Sequence, residues 1–105
     1  MIQTLPATIP ASLFEQRADA IVEAARELSE LGWTPATSSN FSMRVDDAHA
    51  AITVSGKHKG RLGRDDIMLI DLAGNAVGTD ARPSAETALH TQIYRRWPQM
   101  QAVLH

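Results

Sequence analysis

The sequence predicts an α/β domain in which helices cover a sheet. Three observations carry the prediction: an amphipathic helix near the start, short strand-patterned runs through the middle, and a second helix followed directly by an apolar run. At 105 residues the chain can build one small core but not two. A hydrophobic fraction of 44% with 21% charged residues is that of an ordinary globular protein rather than a disordered chain.

Residues 12–31 place Phe14, Ala18, Ile21, Val22, Ala25 and Leu28 on one helical face. Ser12 with Glu15 reads as a capping box, and Gly32 suits the position just past the helix end. After the turn-rich "TPATSSN", the runs "FSMRV" and "AITV" read as strands joined in a hairpin through "DDAHA". The polar loop "SGKHKGRLGRDD" leads into "IMLIDL", apolar enough for a well-buried strand, and "AGNAVG" reads as a turn into a short edge strand. In "TDARPSAETALHTQIYRRWP" a loop gives way to a helix, with Ser84 as its N-cap, Leu89, Ile93 and Trp97 on one face, and Pro98 as its stop. "QAVLH" follows as a strand. Nothing after it returns the chain to the surface, so we expect residues 1–105 to be the N-terminal part of a single longer domain and to fold poorly alone.

Composition narrows the partners. A net charge of −2 supplies no basic field for nucleic acid or anionic lipid, so an anion must be caught locally. No cysteine is present, which removes disulfides and thiolate metal sites. No stretch has the basic start and apolar core of a leader or the length of a membrane span, so a cytoplasmic location is expected.

Three polar loops are candidates for chemistry. "SSNFS" sets Asn40 directly before a strand, where it either closes a turn or binds. In "VSGKHKG", Ser55 and Gly56 allow backbone to approach an anion, and Lys57, Lys59 and Arg61 either add charge or are solvated. "RPSAE" puts Ser84 at a helix start, which favours phosphate or carboxylate. Glu86, with His90 four residues on, reads as an exposed first-turn pair or as a general acid/base beside that anion. His105 is a strand-end histidine, and alone it is a poor zinc site because zinc needs three or four ligands. His49 and His58 read as solvated, and Trp33, Tyr94 and Trp97 as core or interface.

Taken together, "SSNFSMR", "TVSGKHKG", "RPSAETALHTQIY" and "AVLH" resemble the class II aldolase/adducin family in order and spacing. "GWTPATSSNFSMR" and "SGKHKGRL" point to its dehydratase branch. The resemblance implies a three-layer α/β/α sandwich around a largely antiparallel sheet, incomplete in this chain and assembled as a homotetramer. It implies one zinc ion per subunit, held by His105 and further histidines beyond it, and a small ketose 1-phosphate substrate. Asn40, Ser55, Gly56 and Ser84 match phosphate-binding positions, and Glu86 matches the acid/base glutamate. Ala85 departs from the aldolase pattern, which has a second serine there. The implied reactions are dehydration or, as alternatives, aldol cleavage or epimerisation; the adducin likeness adds a non-catalytic interaction module.

Overall fold

The computed structural model describes residues 2–105. Helix α1, Ala11–Glu30, is followed by strands β1, Phe41–Asp46, β2, His49–Thr53, and β3, Ile67–Asp71. Helix α2, Thr87–Arg96, and strand β4, Ala102–Leu104, complete the chain. The strands form one antiparallel sheet in the order β3-β2-β1-β4.

Alternation along the strands divides the core between the two faces of this sheet. Phe41, Val45, Ala51, Ile67 and Leu69 pack against Phe14, Ala18, Ile21 and Ala25 of α1. Ala50, Ile52, Met68 and Ile70 pack on the opposite face with Tyr94 of α2. Covering on both sides explains why β2 and β3 read as unbroken apolar runs rather than alternating ones. This is the expected helix–sheet–helix layering.

The expected hairpin forms, with Asp46 opposite His49 and Asp46 Oδ1 accepting from the Ala48 N–H. Gly32 takes φ +78° at the end of α1, where the Gly32 N–H reaches Ser29 O and the Trp33 N–H reaches Leu28 O, a Schellman closure.

Several expectations are corrected. The helix begins one residue before Ser12, at Ala11 with Pro10 as N-cap, so Ser12 forms no capping box. "AGNAVG" makes a single bridge, Ile70 to Ala76, in place of an edge strand. Helix α2 starts at Thr87 rather than beside Ser84. Its buried face is Thr87, His90, Thr91 and Tyr94, while Leu89 and Trp97 lie exposed. Trp33 is 68% exposed and takes no part in the core.

Because Ala18 is fully buried where α1 meets the sheet, Ala18→Leu in the intact protein should overpack this layer. The expected cost is about 1–3 kcal/mol in chemical denaturation; an unchanged midpoint would show that α1 has slack above β1.

Candidate active site

Antiparallel pairing brings the start of β1 and the ends of β2 and β4 to one edge of the sheet, and the approach to α2 lies beside them. Asn40 and His105 extend the β1–β4 ladder by one step: each N–H donates to the other's carbonyl, at 2.8 and 2.9 Å. The segment before α2 runs antiparallel to the end of β2, with the Ser55 N–H on Arg82 O at 2.9 Å and the Ser84 N–H on Thr53 O at 3.2 Å. The residues at these junctions surround one cavity of about 440 Å3. Asn40, Ser55, Gly56, Ser84, Glu86 and His105 all line it, and so do Thr37 and Lys59.

Local backbone explains each placement. Ala36 and Ser39 hold φ of 55° and 75°, left-handed values that cost non-glycine residues roughly 1–2 kcal/mol each, and they bend residues 37–40 over the cavity. Gly56 has φ +77°, and a Cβ there would meet nothing within 4 Å, so the turn demands glycine for its conformation and not for lack of room. Ser84 Oγ accepts from the Glu86 N–H at 3.3 Å, and its carbonyl accepts from the Thr87 N–H and hydroxyl at 3.1 and 2.6 Å. Ser84 therefore shapes the turn that precedes the helix. Glu86 stands exposed at the N-cap of α2 with no side-chain hydrogen bond there.

Beneath the cavity lies a chain of buried polar groups. His90, fully enclosed, donates from Nε2–H to Asn40 Oδ1 at 2.5 Å. A carbonyl oxygen only accepts, so the proton belongs on Nε2, and the bare Nδ1 accepts from the Ser42 hydroxyl at 2.6 Å. Ser42 in turn accepts from the Tyr94 hydroxyl at 2.7 Å. Arg44 anchors the far end, donating to Tyr94 O at 2.8 Å and Met100 O at 2.9 Å with its guanidinium 4.9 Å from the Tyr94 ring centre. Burial, with the charge of His105 second, lowers the His90 pKa to about 4. Burial likewise raises that of Tyr94, so both stay neutral near pH 7.

The sequence reading missed two of these groups. His90 belongs to no exposed Glu–His pair: Glu86 lies outside the helix as its N-cap, and His90 is buried against Asn40 and Ser42. Lys59 is only 2% exposed, not solvated; its Nζ donates to Thr37 O at 3.2 Å and Lys57 O at 2.7 Å. Their signal was present as "NFS" and "HTQIY", polar residues spaced to meet across one sheet face and one helix face. Lys57 does face solvent and pairs with Asp66 at 3.8 Å. Among the described residues no three His, Cys, Asp or Glu side chains gather round one point. His105 therefore offers a single imidazole at the cavity wall, and residues 2–105 do not by themselves make a zinc site.

Comparison with known proteins gives a consistent picture. The family model for the Class II Aldolase and Adducin N-terminal domain matches residues 19–105. A methylthioribulose-1-phosphate dehydratase of Stenotrophomonas maltophilia is 65% identical over 88 residues, covering 84% of this chain and 41% of its own length. One from Xanthomonas campestris is 55% identical over 102 residues, covering 97% and 47%. Among solved structures, an L-fuculose 1-phosphate aldolase superposes with a TM-score of 0.80 at 25% identity, covering 95% of this chain and 46% of that one. The L-fuculose-1-phosphate aldolase of Thermus thermophilus gives 0.72 at 31% identity, covering 87% and 46%. The chain thus spans less than half the length of these curated relatives.

A neutral His90 sets a pH dependence. Its folded pKa near 4 lies below the ordinary 6.5, so between these values the unfolded chain binds the extra proton and acid favours unfolding. Stability should fall as pH drops from 6.5 toward 4, by about 3 kcal/mol more in the wild type than in His90→Gln. Parallel pH curves for the two proteins would contradict a neutral, buried His90.

Proposed function

The chain belongs to the class II aldolase and adducin family, and from that premise we propose that it is the N-terminal part of a methylthioribulose-1-phosphate dehydratase, a lyase. The observation that carries the reading is convergence: Asn40, Ser55, Gly56, Ser84, Glu86 and His105 come from four separate stretches and line one cavity. The names of the relatives that are 55 and 65% identical supply the substrate. In this reading the enzyme is cytoplasmic, serves methionine salvage and works as a homotetramer; no helix of the described residues is long and apolar enough to cross a membrane. Exposed Trp33, Trp97 and Leu104 offer apolar surface for such an assembly.

The phosphate is placed against Asn40, the Ser55–Gly56 turn and Ser84. Asn40 is suited to this because its Oδ1 is already committed to His90, which leaves the amide N–H groups to donate. Glu86, exposed and without a side-chain partner at the N-cap, can take a proton from substrate carbon or pass one to the departing oxygen. Dehydration removes the C3 proton and the C4 hydroxyl as water, and the resulting enol tautomerises to 2,3-diketo-5-methylthiopentyl 1-phosphate. His105 is proposed as one zinc ligand, its companions lying outside residues 1–105.

A second reading, aldol cleavage of a ketose 1-phosphate, draws on the likeness to L-fuculose-1-phosphate aldolase. One assay separates them. The full-length protein with 5-methylthioribulose 1-phosphate should release water and the diketone; formation of dihydroxyacetone phosphate from a ketose 1-phosphate would favour the aldolase.

Glu86→Gln should lower kcat about 10²- to 10⁴-fold with little change in KM. An unaltered kcat would remove Glu86 from the proton steps. His105→Ala should abolish activity together with bound zinc, and retention of a full zinc complement would take His105 out of the metal site.

A further inference from the structure

Of the cations in the loop between β2 and β3, one is placed unlike the others. Lys57 leans toward Asp66, Arg61 is exposed, and Arg64 forms a two-bond contact with Asp19 of α1 at 2.9 and 2.8 Å. Lys59 instead folds inward at the start of a 3₁₀ turn, Lys59–Arg61, which is closed by the Gly60 N–H on His58 Nδ1 at 3.1 Å. It becomes part of the cavity wall.

Its bonding is incomplete. An ammonium has three N–H donors, and the two carbonyls of Thr37 and Lys57 use two of them. Among the described residues no carboxylate oxygen lies within 4.0 Å of Nζ. Thr37, which accepts one of the bonds, is itself a lining residue, so the ammonium is pinned at the wall. A buried cation without a counter-ion is costly, and proteins keep such groups paired. The burial is felt, since it pulls the Lys59 pKa below its ordinary value, a pull that an anion alongside would reverse.

We infer that Lys59 is the charge-bearing contact of this cavity: its free N–H binds a phosphate dianion and sets the preference for phosphorylated over unphosphorylated substrate. The inference rests on the reading of the cavity as a phosphate site and adds to it a cation that the hydroxyl, amide and glycine positions lack. A charge-assisted bond to phosphate is about twice as strong as a neutral one, so Lys59 would dominate the recognition.

The test is inorganic phosphate binding to the full-length protein, followed by calorimetry, for the wild type, Lys59→Met and Lys59→Gln. Loss of the charge should weaken phosphate about tenfold to a hundredfold in both variants. The phosphate-free melting temperature should hold or rise, because an uncompensated buried charge has gone. Glutamine keeps a donor for the Thr37 carbonyl, so it serves where methionine does not fold, and it separates charge from hydrogen bonding. Wild-type affinity in both variants overturns the role of Lys59 and leaves the phosphate cavity standing. A wild type that does not bind phosphate overturns both. Phosphate binding that depends on Lys59 in a protein with no dehydratase activity supports Lys59 and defeats the dehydratase reading.

Discussion

The buried hydrogen-bonded chain from Asn40 through His90 and Ser42 to Tyr94 is the constraint on which the site depends. It joins three elements that no apolar contact alone would hold in register: the loop before β1, the strand itself, and α2. Both ring nitrogens of His90 and the hydroxyls of Ser42 and Tyr94 are hydrogen-bonded, which is the condition for such a network to fix geometry rather than cost stability. Its direction is also determined. Donors run from Tyr94 through Ser42 to the bare nitrogen of His90, and the opposite ring nitrogen donates to Asn40. The amide end of Asn40 is thereby turned to donate at the cavity.

Antiparallel topology supplies the rest of the convergence. Strand β1 begins where β2 and β4 end, so loops far apart in sequence meet at one edge and share one cavity. The left-handed Ala36 and Ser39 store strain in the loop that delivers Thr37 to Asn40, a cost offset by the core on both faces of the sheet. Charge is distributed with the same economy. Glu86 stands exposed at one wall, while Lys59 is enclosed and tied to carbonyls at another. In the roles proposed for them, a proton-transfer group needs access, whereas an anion contact gains strength from low dielectric.

Much of this was legible in the sequence. The apolar stripe of α1, the hairpin and the largely apolar β3 follow from periodicity, whereas Asn40, Ser55, Gly56, Ser84, Glu86 and His105 were picked out as a set by the resemblance of their motifs to the family pattern. What periodicity misplaced was α2. Leu89, Ile93 and Trp97 form the more apolar stripe, yet the helix buries Thr87, His90, Thr91 and Tyr94. An apolar-face rule fails where the sheet presents Ser42 and Arg44, because those groups demand hydrogen-bonding partners once covered. Lys59 escaped for a related reason. A lysine among lysines in a glycine-containing loop looks solvated, and only the folded loop reveals that its stem is enclosed and its ammonium tied to two carbonyls.

The most direct test of this account is the tautomer of His90, read from the ring 15N shifts and long-range 1H–15N couplings of the intact protein at pH 7 and again at pH 5. A neutral ring is expected at both values, with the proton on Nε2 and Nδ1 bare. A ring protonated on both nitrogens at pH 5, or a proton on Nδ1 at pH 7, would reverse or break the chain. Asn40 would then no longer be held as a donor at the cavity, and the proposed phosphate site would lose its structural basis.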